Sequence, residues 1–188
     1  MTDIARSEPV IARDLLLRAA DDADRYAIHA ALDARWGRRG VTGFLWCLGR
    51  VADGPAVRVR LPPAHPDGQA GLPVLAPPAG CRQGFRLLAN VTHKDGRSGH
   101  RRSFPRDDLA PRLAWLHRRA AEHGFRVEQV EAAVSRVFIR KGRGFWLDET
   151  LFTGTLAVTD AECFTAALTG GIGQRSAFGF GLLETFDA

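Results

Sequence analysis

Between Asp107 and Gly124 the chain carries an apolar repeat at helical spacing, with Leu109, Leu113, Leu116 and Ala120 on one face. An Asp cap, Pro111 in the first turn and Gly124 at the end supply a start and a stop. The flanking segments constrain the fold most. Phe85–Asn90 (FRLLAN) alternates before the helix. Phe125–Val130, Val134–Arg140 and Phe145–Val158 read as strands after it, with a turn at Lys141–Gly144 between the last two. Asp160–Leu168 reads as a short helix, Thr169–Gly181 as a glycine-rich loop and Leu182–Phe186 as a closing strand. A helix with one apolar stripe, set among alternating strands, has to bury that stripe on one face of a sheet.

The first half of the chain repeats the order in a shorter form. Val10–Arg18 reads as a strand anchored by Ile11, Leu15 and Leu17. Asp21, Asp22 and Asp24 offer helix-start chemistry for Arg25–Trp36, whose Ile28, Ala31, Leu32 and Arg35 recur at helical spacing. Gly37 and Gly40 end that helix. Gly43–Arg50 and Ala56–Leu61 are strands around an Asp53-Gly54 turn signal, and the Pro- and Gly-rich 61–80 stretch is a long loop with room for one helical turn. The order predicts an α+β chain. Two tandem ferredoxin-like (RRM-like) domains are expected, with antiparallel sheets and helices on one face, the first domain having lost its second helix. We draw the boundary between domains at 1–91 and 92–188.

With 188 residues, 45% apolar and 25% charged, the chain suits a globular protein and not a disordered tail, a collagen or a coiled coil. No apolar run approaches the roughly 18 residues that cross a bilayer, and the first 18 residues lack a signal-peptide layout, so no membrane association and a cytoplasmic location are expected. Cys47, Cys81 and Cys163 are too dispersed for a disulfide framework or a zinc site. The charge is segregated: net +1 over 1–80, +9 over 81–147 and −5 over 148–188. A concentrated basic segment attracts polyanions, chiefly nucleic acid. Nine of its 15 cations fall in three groups. Arg97, Arg101 and Arg102 lie in the polar loop 92–102, Arg112, Arg118 and Arg119 on the helix, and Arg140, Lys141 and Arg143 at the KGRG turn. They suit tracking of A-form phosphates, the alternative being an ordinary solvated face.

The loop Gly170–Leu183 (GGIGQRSAFGFGLL) is not a dinucleotide fingerprint, because Ser176 stands where a third Gly is needed and the loop runs from helix to strand. It lacks GK[ST] as well. Gly171, Gly173, Arg175 and Ser176 suit close approach of backbone to phosphate; tight packing is the other reading. Among the histidines, His93 and His100 sit in the basic loop, His117 and His123 on the basic helix and His65 in the Pro-rich loop. None shows zinc-ligand spacing, and no metal or other cofactor is expected. His29 shares a helical face with Tyr26 and Asp33.

Five segments resemble one family in order. GIGQRSAFGFGLL is similar to the glycine-rich signature of the repeat-associated proteins that process CRISPR RNA, and most similar to the CasE endoribonucleases of type I-E systems. DRYAIHAAL resembles their first-helix motif, FRLLAN their FRLRANP strand, LAWLHRRAAEHGF their AWLxRxxxxxGF helix and LFTGTLAVTD their xFEGxLxVxD strand. The resemblance implies two ferredoxin-like domains and metal-independent cleavage of a CRISPR repeat on the 3′ side of its stem-loop. It also implies retention of the product RNA beside the other subunits of a Cascade complex. It points to His29 as a catalytic proton carrier and to Tyr26 as a group that orients the nucleophile or shares the acid–base work. A basic segment near Lys141 is expected to enter the hairpin RNA, with Ser135 a further donor. This chain departs from the family's pattern at Ser176, where Lys is usual, at Leu88 and at Val91. A non-catalytic RNA-binding subunit of the same complex is the alternative.

Overall fold

A computed structural model describes residues 9–19, 24–51, 54–97 and 99–187. The first unit runs β1 (Val10–Arg18), α1 (Arg25–Trp36), the single turn α2 (Arg39–Thr42), β2 (Leu45–Val51), β3 (Gly54–Leu61), a 3₁₀ turn at Pro66–Ala70 and β4 (Leu72–Leu75). Its sheet is antiparallel, in the order β2-β3-β1-β4. The second unit runs β5 (Arg82–Ala89), a ribbon of β6 (Thr92–Lys94) and β7 (Arg101–Ser103), α3 (Ala110–Glu122), β8 (Phe125–Ile139), β9 (Phe145–Val158), α4 (Ala161–Gly170) and β10 (Leu183–Phe186). Its main sheet is antiparallel, in the order β10-β5-β9-β8. In each unit the first and third strands are central and the second and fourth are edges, which is the ferredoxin-like arrangement. The 3₁₀ turn Pro66–Ala70 occupies the place of the first unit's missing helix.

Local chemistry explains most elements. Asp24 caps α1 by accepting from the Tyr26 N–H at 2.7 Å. Asp21, Asp22 and Asp53, which also entered the sequence reading, lie outside the described residues. Ile28, Leu32 and Trp36 of α1 pack on Trp46, Val57, Val59 and Leu61. In the second unit Trp115, Leu116 and Ala120 of α3 and Phe164 and Leu168 of α4 cover Phe85, Leu87, Phe152 and Leu156. Each such side chain contributes about 1.5–3 kcal/mol on burial.

Several expectations are corrected. Phe85–Asn90, placed by sequence in the first domain, contributes β5 to the second sheet, pairing with β9 and β10. The 61–80 stretch is not only loop: β4 pairs with β1 at the sheet edge. Thr92–Arg102 holds the β6–β7 ribbon. The two strands expected over 125–140 are one, interrupted by a bulge between Val127 and Gln129. Helix α3 starts at Ala110 without a side-chain cap. Its buried face is also rotated: Arg112 and Trp115 lie inside, Leu113 is half-buried and Leu109 is exposed.

Polar contacts dominate the junction of the units. Arg60 on β3 is buried, pairs with Asp14 through Nε and Nη2, and donates through Nη1 to the carbonyls of Leu168 and Leu183. Arg58 and Arg86 converge on Glu184, and Arg86 also donates to the Leu48 carbonyl. A small apolar contact of Leu45, Cys47 and Leu182 lies beside them. Burial pushes the Cys47 thiol up to about 12, so it stays a neutral packing group. No helix among the described residues is long and apolar enough to cross a membrane.

Candidate active site

Three segments distant in sequence meet at one end of the junction. Helix α1 presents Tyr26 and His29, their ring centroids 6.4 Å apart. The glycine-rich loop forms a 3₁₀ turn at Ser176–Phe178 and sets the Phe178 ring edge-on to His29, 6.1 Å between centroids. The tip of the β8–β9 hairpin places Lys141 Nζ 5.5 Å from the Tyr26 ring centroid. Tyr26, Phe145 and Phe178 pack with Leu88, Ile139 and Leu147 below these groups. The site is therefore apolar underneath and cationic on top.

His29 is one-fifth exposed, and its Nδ1 lies 3.6 Å from Asp33 Oδ1. That distance is too long for a hydrogen bond, and both atoms are buried with no hydrogen-bond partner among the described residues.

Arg25, which the sequence reading did not single out, locks this geometry. Its Nη1 donates to the carbonyl of Phe178 at 2.7 Å, and its Nη2 pairs with Glu149 on β9 at 3.0 Å. The guanidinium also lies 4.8 Å from the Phe180 ring centroid. Burial lowers the Arg25 pKa and raises that of Glu149, with their mutual attraction opposing both shifts. One buried cation thus ties the helix bearing His29 to the loop that faces it. The available signal was spacing: Arg25 stands at i−4 to His29, on the same helical face.

The remaining expected residues separate into groups. Arg140, Lys141 and Arg143 are exposed at the hairpin tip, next to the histidine site. Gly171, Gly173, Arg175 and Ser176 lie along the loop. Arg175 is exposed with φ 65°, a left-handed backbone that a non-glycine residue adopts only under local constraint. Gly173 lies so close to Trp115 of α3 that a Cβ would come within 3.1 Å of the ring, so the loop leads directly onto that helix. There Arg118 and Arg119 flank a groove lined by His93, Lys94, Arg101, Phe104 and Trp115. Arg118 and Arg119 both face Glu122, and Arg102 pairs with Asp95 at 2.9 Å. Arg97 is exposed on the ribbon's turn.

Two residues fall elsewhere. Arg112 is a correction: it is fully buried, with Nη1 on Asp148 and Thr150 and Nη2 on the Phe104 carbonyl, and no surface-bound RNA can reach it. Its four-atom reach into the core is what a helix-face count of arginines misses. Ser135 sits opposite Glu149, lining the roughly 760 Å³ cleft between the two sheets with Arg25, Arg58 and Arg86. Among the described residues no three His, Cys, Asp or Glu side chains come together as a metal site would require.

Comparison with known proteins agrees with this architecture. The CRISPR-associated endoribonuclease Cse3 of Thermus thermophilus is 34% identical over 126 residues, which cover 60% of this chain and 58% of the relative's length. The structure of Thermus thermophilus Cse3 bound to an RNA representing a pre-cleavage complex superposes with a TM-score of 0.75 at 29% identity, covering 94% of this chain and 98% of that one. Cas6e from Escherichia coli K-12 shares the fold, with a TM-score of 0.68 at 22% identity over 94% of this chain and 99% of that one. A family model described as CRISPR associated protein matches residues 7–185. A match over nearly the whole chain, on two ferredoxin-like units with a histidine helix against a glycine-rich loop, places the chain in the CRISPR associated protein family.

Proposed function

We propose that this chain is a metal-independent endoribonuclease that cuts the CRISPR repeat transcript on the 3′ side of its stem-loop. The observation that carries the reading is the meeting of His29, the Phe178 turn and Lys141 at one point. RNA supplies its own nucleophile, the 2′-OH. Attack on the adjacent phosphorus forms a 2′,3′-cyclic phosphate and expels the 5′-oxygen of the next nucleotide. One proton leaves the 2′-oxygen and one reaches the departing oxygen. His29 carries one of them, with the Asp33 carboxylate 3.6 Å from its Nδ1. Tyr26 orients the attacking nucleotide. Lys141, held over the Tyr26 ring, stabilises negative charge as it develops on the phosphate. The Thermus relative, named an endoribonuclease and solved with RNA, supports the reaction class.

Arg140 and Arg143 at the hairpin tip, Gly171, Gly173, Arg175 and Ser176 on the loop, and Arg101, Arg102, Arg118, Arg119 and Arg97 beyond it form a cationic path. In this reading the path follows the phosphates of the stem. The protein works in the cytoplasm, keeps the product stem-loop and joins the other subunits of a Cascade complex. The test is incubation with repeat RNA in excess EDTA, beside His29→Ala and beside RNA with 2′-deoxy at the scissile nucleotide. Cleavage by the unaltered pair alone is expected. A cut that needs added metal, or that survives the 2′-deoxy substitution, overturns the mechanism.

A further inference from the structure

The free end of the β8–β9 hairpin carries an aromatic pair that the histidine site does not use. Phe138 and Trp146 are cross-strand partners, with ring centroids 5.2 Å apart. Phe138 is 40% exposed and Trp146 64% exposed. They lie on the opposite face of the hairpin from Val137, Ile139, Phe145 and Leu147, which pack toward Tyr26 and Phe178. A tryptophan left this open forgoes much of its burial free energy, and a hairpin needs no such residue to close its turn.

The turn is shaped around the pair. Gly144 has φ +71°, and a Cβ on it would fall 2.2 Å from the Phe138 ring. Only a glycine lets Phe138 lie across the turn and brace Trp146 from one side. The pair is therefore held ready before anything binds. Arg136 stands two residues before Phe138 on the same strand, and Arg140, Lys141 and Arg143 lie in the adjoining turn. All four are exposed, and none forms an ion pair among the described residues. Open aromatic faces amid uncompensated cations suit a nucleobase on a phosphate chain better than an apolar protein surface.

We propose that Phe138 and Trp146 form a stacking platform for one unpaired nucleobase of the repeat RNA flanking its stem. The platform rests on the functional reading above and extends it. The same hairpin end brings Lys141 to the histidine site, so a base held on its outer face is one that adjoins the stem near the scissile bond. Stacking does not discriminate strongly among bases, so the platform anchors the single-stranded flank with little sequence preference.

The experiment uses the full chain and two RNAs, a blunt stem-loop and the same stem-loop with its single-stranded flanks. Scissile 2′-deoxy substitution prevents cleavage, and 2-aminopurine replaces one flanking base at a time. Wild type is expected to bind the flanked RNA more tightly and to quench 2-aminopurine at one position. Trp146→Ala should weaken flanked-RNA binding roughly 5- to 100-fold, remove the quench and leave blunt-stem affinity unchanged. Trp146→Phe should restore most of the difference. Equal binding of flanked RNA by wild type and Trp146→Ala overturns the platform while the ribonuclease reading stands. So does an equal loss on both RNAs. Unchanged RNA binding with weakened assembly onto other subunits would also overturn it, and would assign the pair to a protein partner. Failure of wild type to bind either RNA overturns the functional reading, and the platform with it.

Discussion

Replacing Arg112 with Met should destabilise the second unit's helix–sheet packing without touching an RNA-binding surface. Arg112 and Asp148 are both almost completely inaccessible, their side chains 0% and 1% exposed. The guanidinium also holds Thr150 and the carbonyls of Phe104 and Pro105, so it joins α3 to β9 and to the turn preceding the helix. Removing it strands a carboxylate in the core, where breaking one partner of a buried pair costs about 3–5 kcal/mol. Unfolding entropy is about 2.1 cal/mol/K per residue, roughly 0.4 kcal/mol/K for 188 residues, so Tm should fall by about 8–13 °C. The double variant Arg112→Met with Asp148→Leu removes the stranded charge and should regain most of that loss. Urea and thermal unfolding of wild type and the two variants measure the effect, and affinity for an uncleavable stem-loop is the control. A Tm within about 2 °C of wild type, together with weaker RNA binding, would refute the reasoning and return Arg112 to the RNA path.

Two further predictions follow from the same structure. Arg25→Met frees α1 from the Phe178 carbonyl and Glu149, so single-turnover cleavage should slow by about 10- to 100-fold while binding of the 2′-deoxy RNA changes little; a binding defect with normal cleavage would show that Arg25 contacts RNA instead of positioning His29. The pKa of His123 is lowered chiefly by burial and secondarily by Arg119, so the native state takes up a proton less readily than the unfolded chain. Stability should be complete above about pH 6.5, the ordinary histidine value, and decline as pH falls through the lowered one; His123→Gln should flatten that part of a urea-midpoint profile, and an unchanged slope would mean another group is responsible.

Much of the fold was legible because it is written in short-range patterns. The alternation in Phe145–Val158 and the helical period of Arg25–Trp36 each need only neighbours within a few residues, and the structure has β9 and α1 at those places. Asp24 caps through a bond to the second residue after it, and that bond is visible in sequence. The doubled ferredoxin-like order followed from the succession of these elements. The juxtaposition of Tyr26 and His29 followed from helical spacing alone, and the catalytic role proposed for them from the resemblance to a known motif.

Only tertiary structure decided which side of each element meets what. Phe85–Asn90 reads as a strand anywhere, but its hydrogen bonds to β9 and β10 place it in the second sheet. Arg112, Arg118 and Arg119 are the same residue on one helix; Asp148, 36 positions away, draws the first inside, while Arg118 is exposed and Arg119 half-buried. Arg25 gains its role from a loop more than 150 residues later. A sequence determines by itself what depends on spacing within a turn or a strand. Burial of a charge depends on a partner that the fold must bring, because desolvation is offset only when the opposite charge and its hydrogen bonds arrive at the same place.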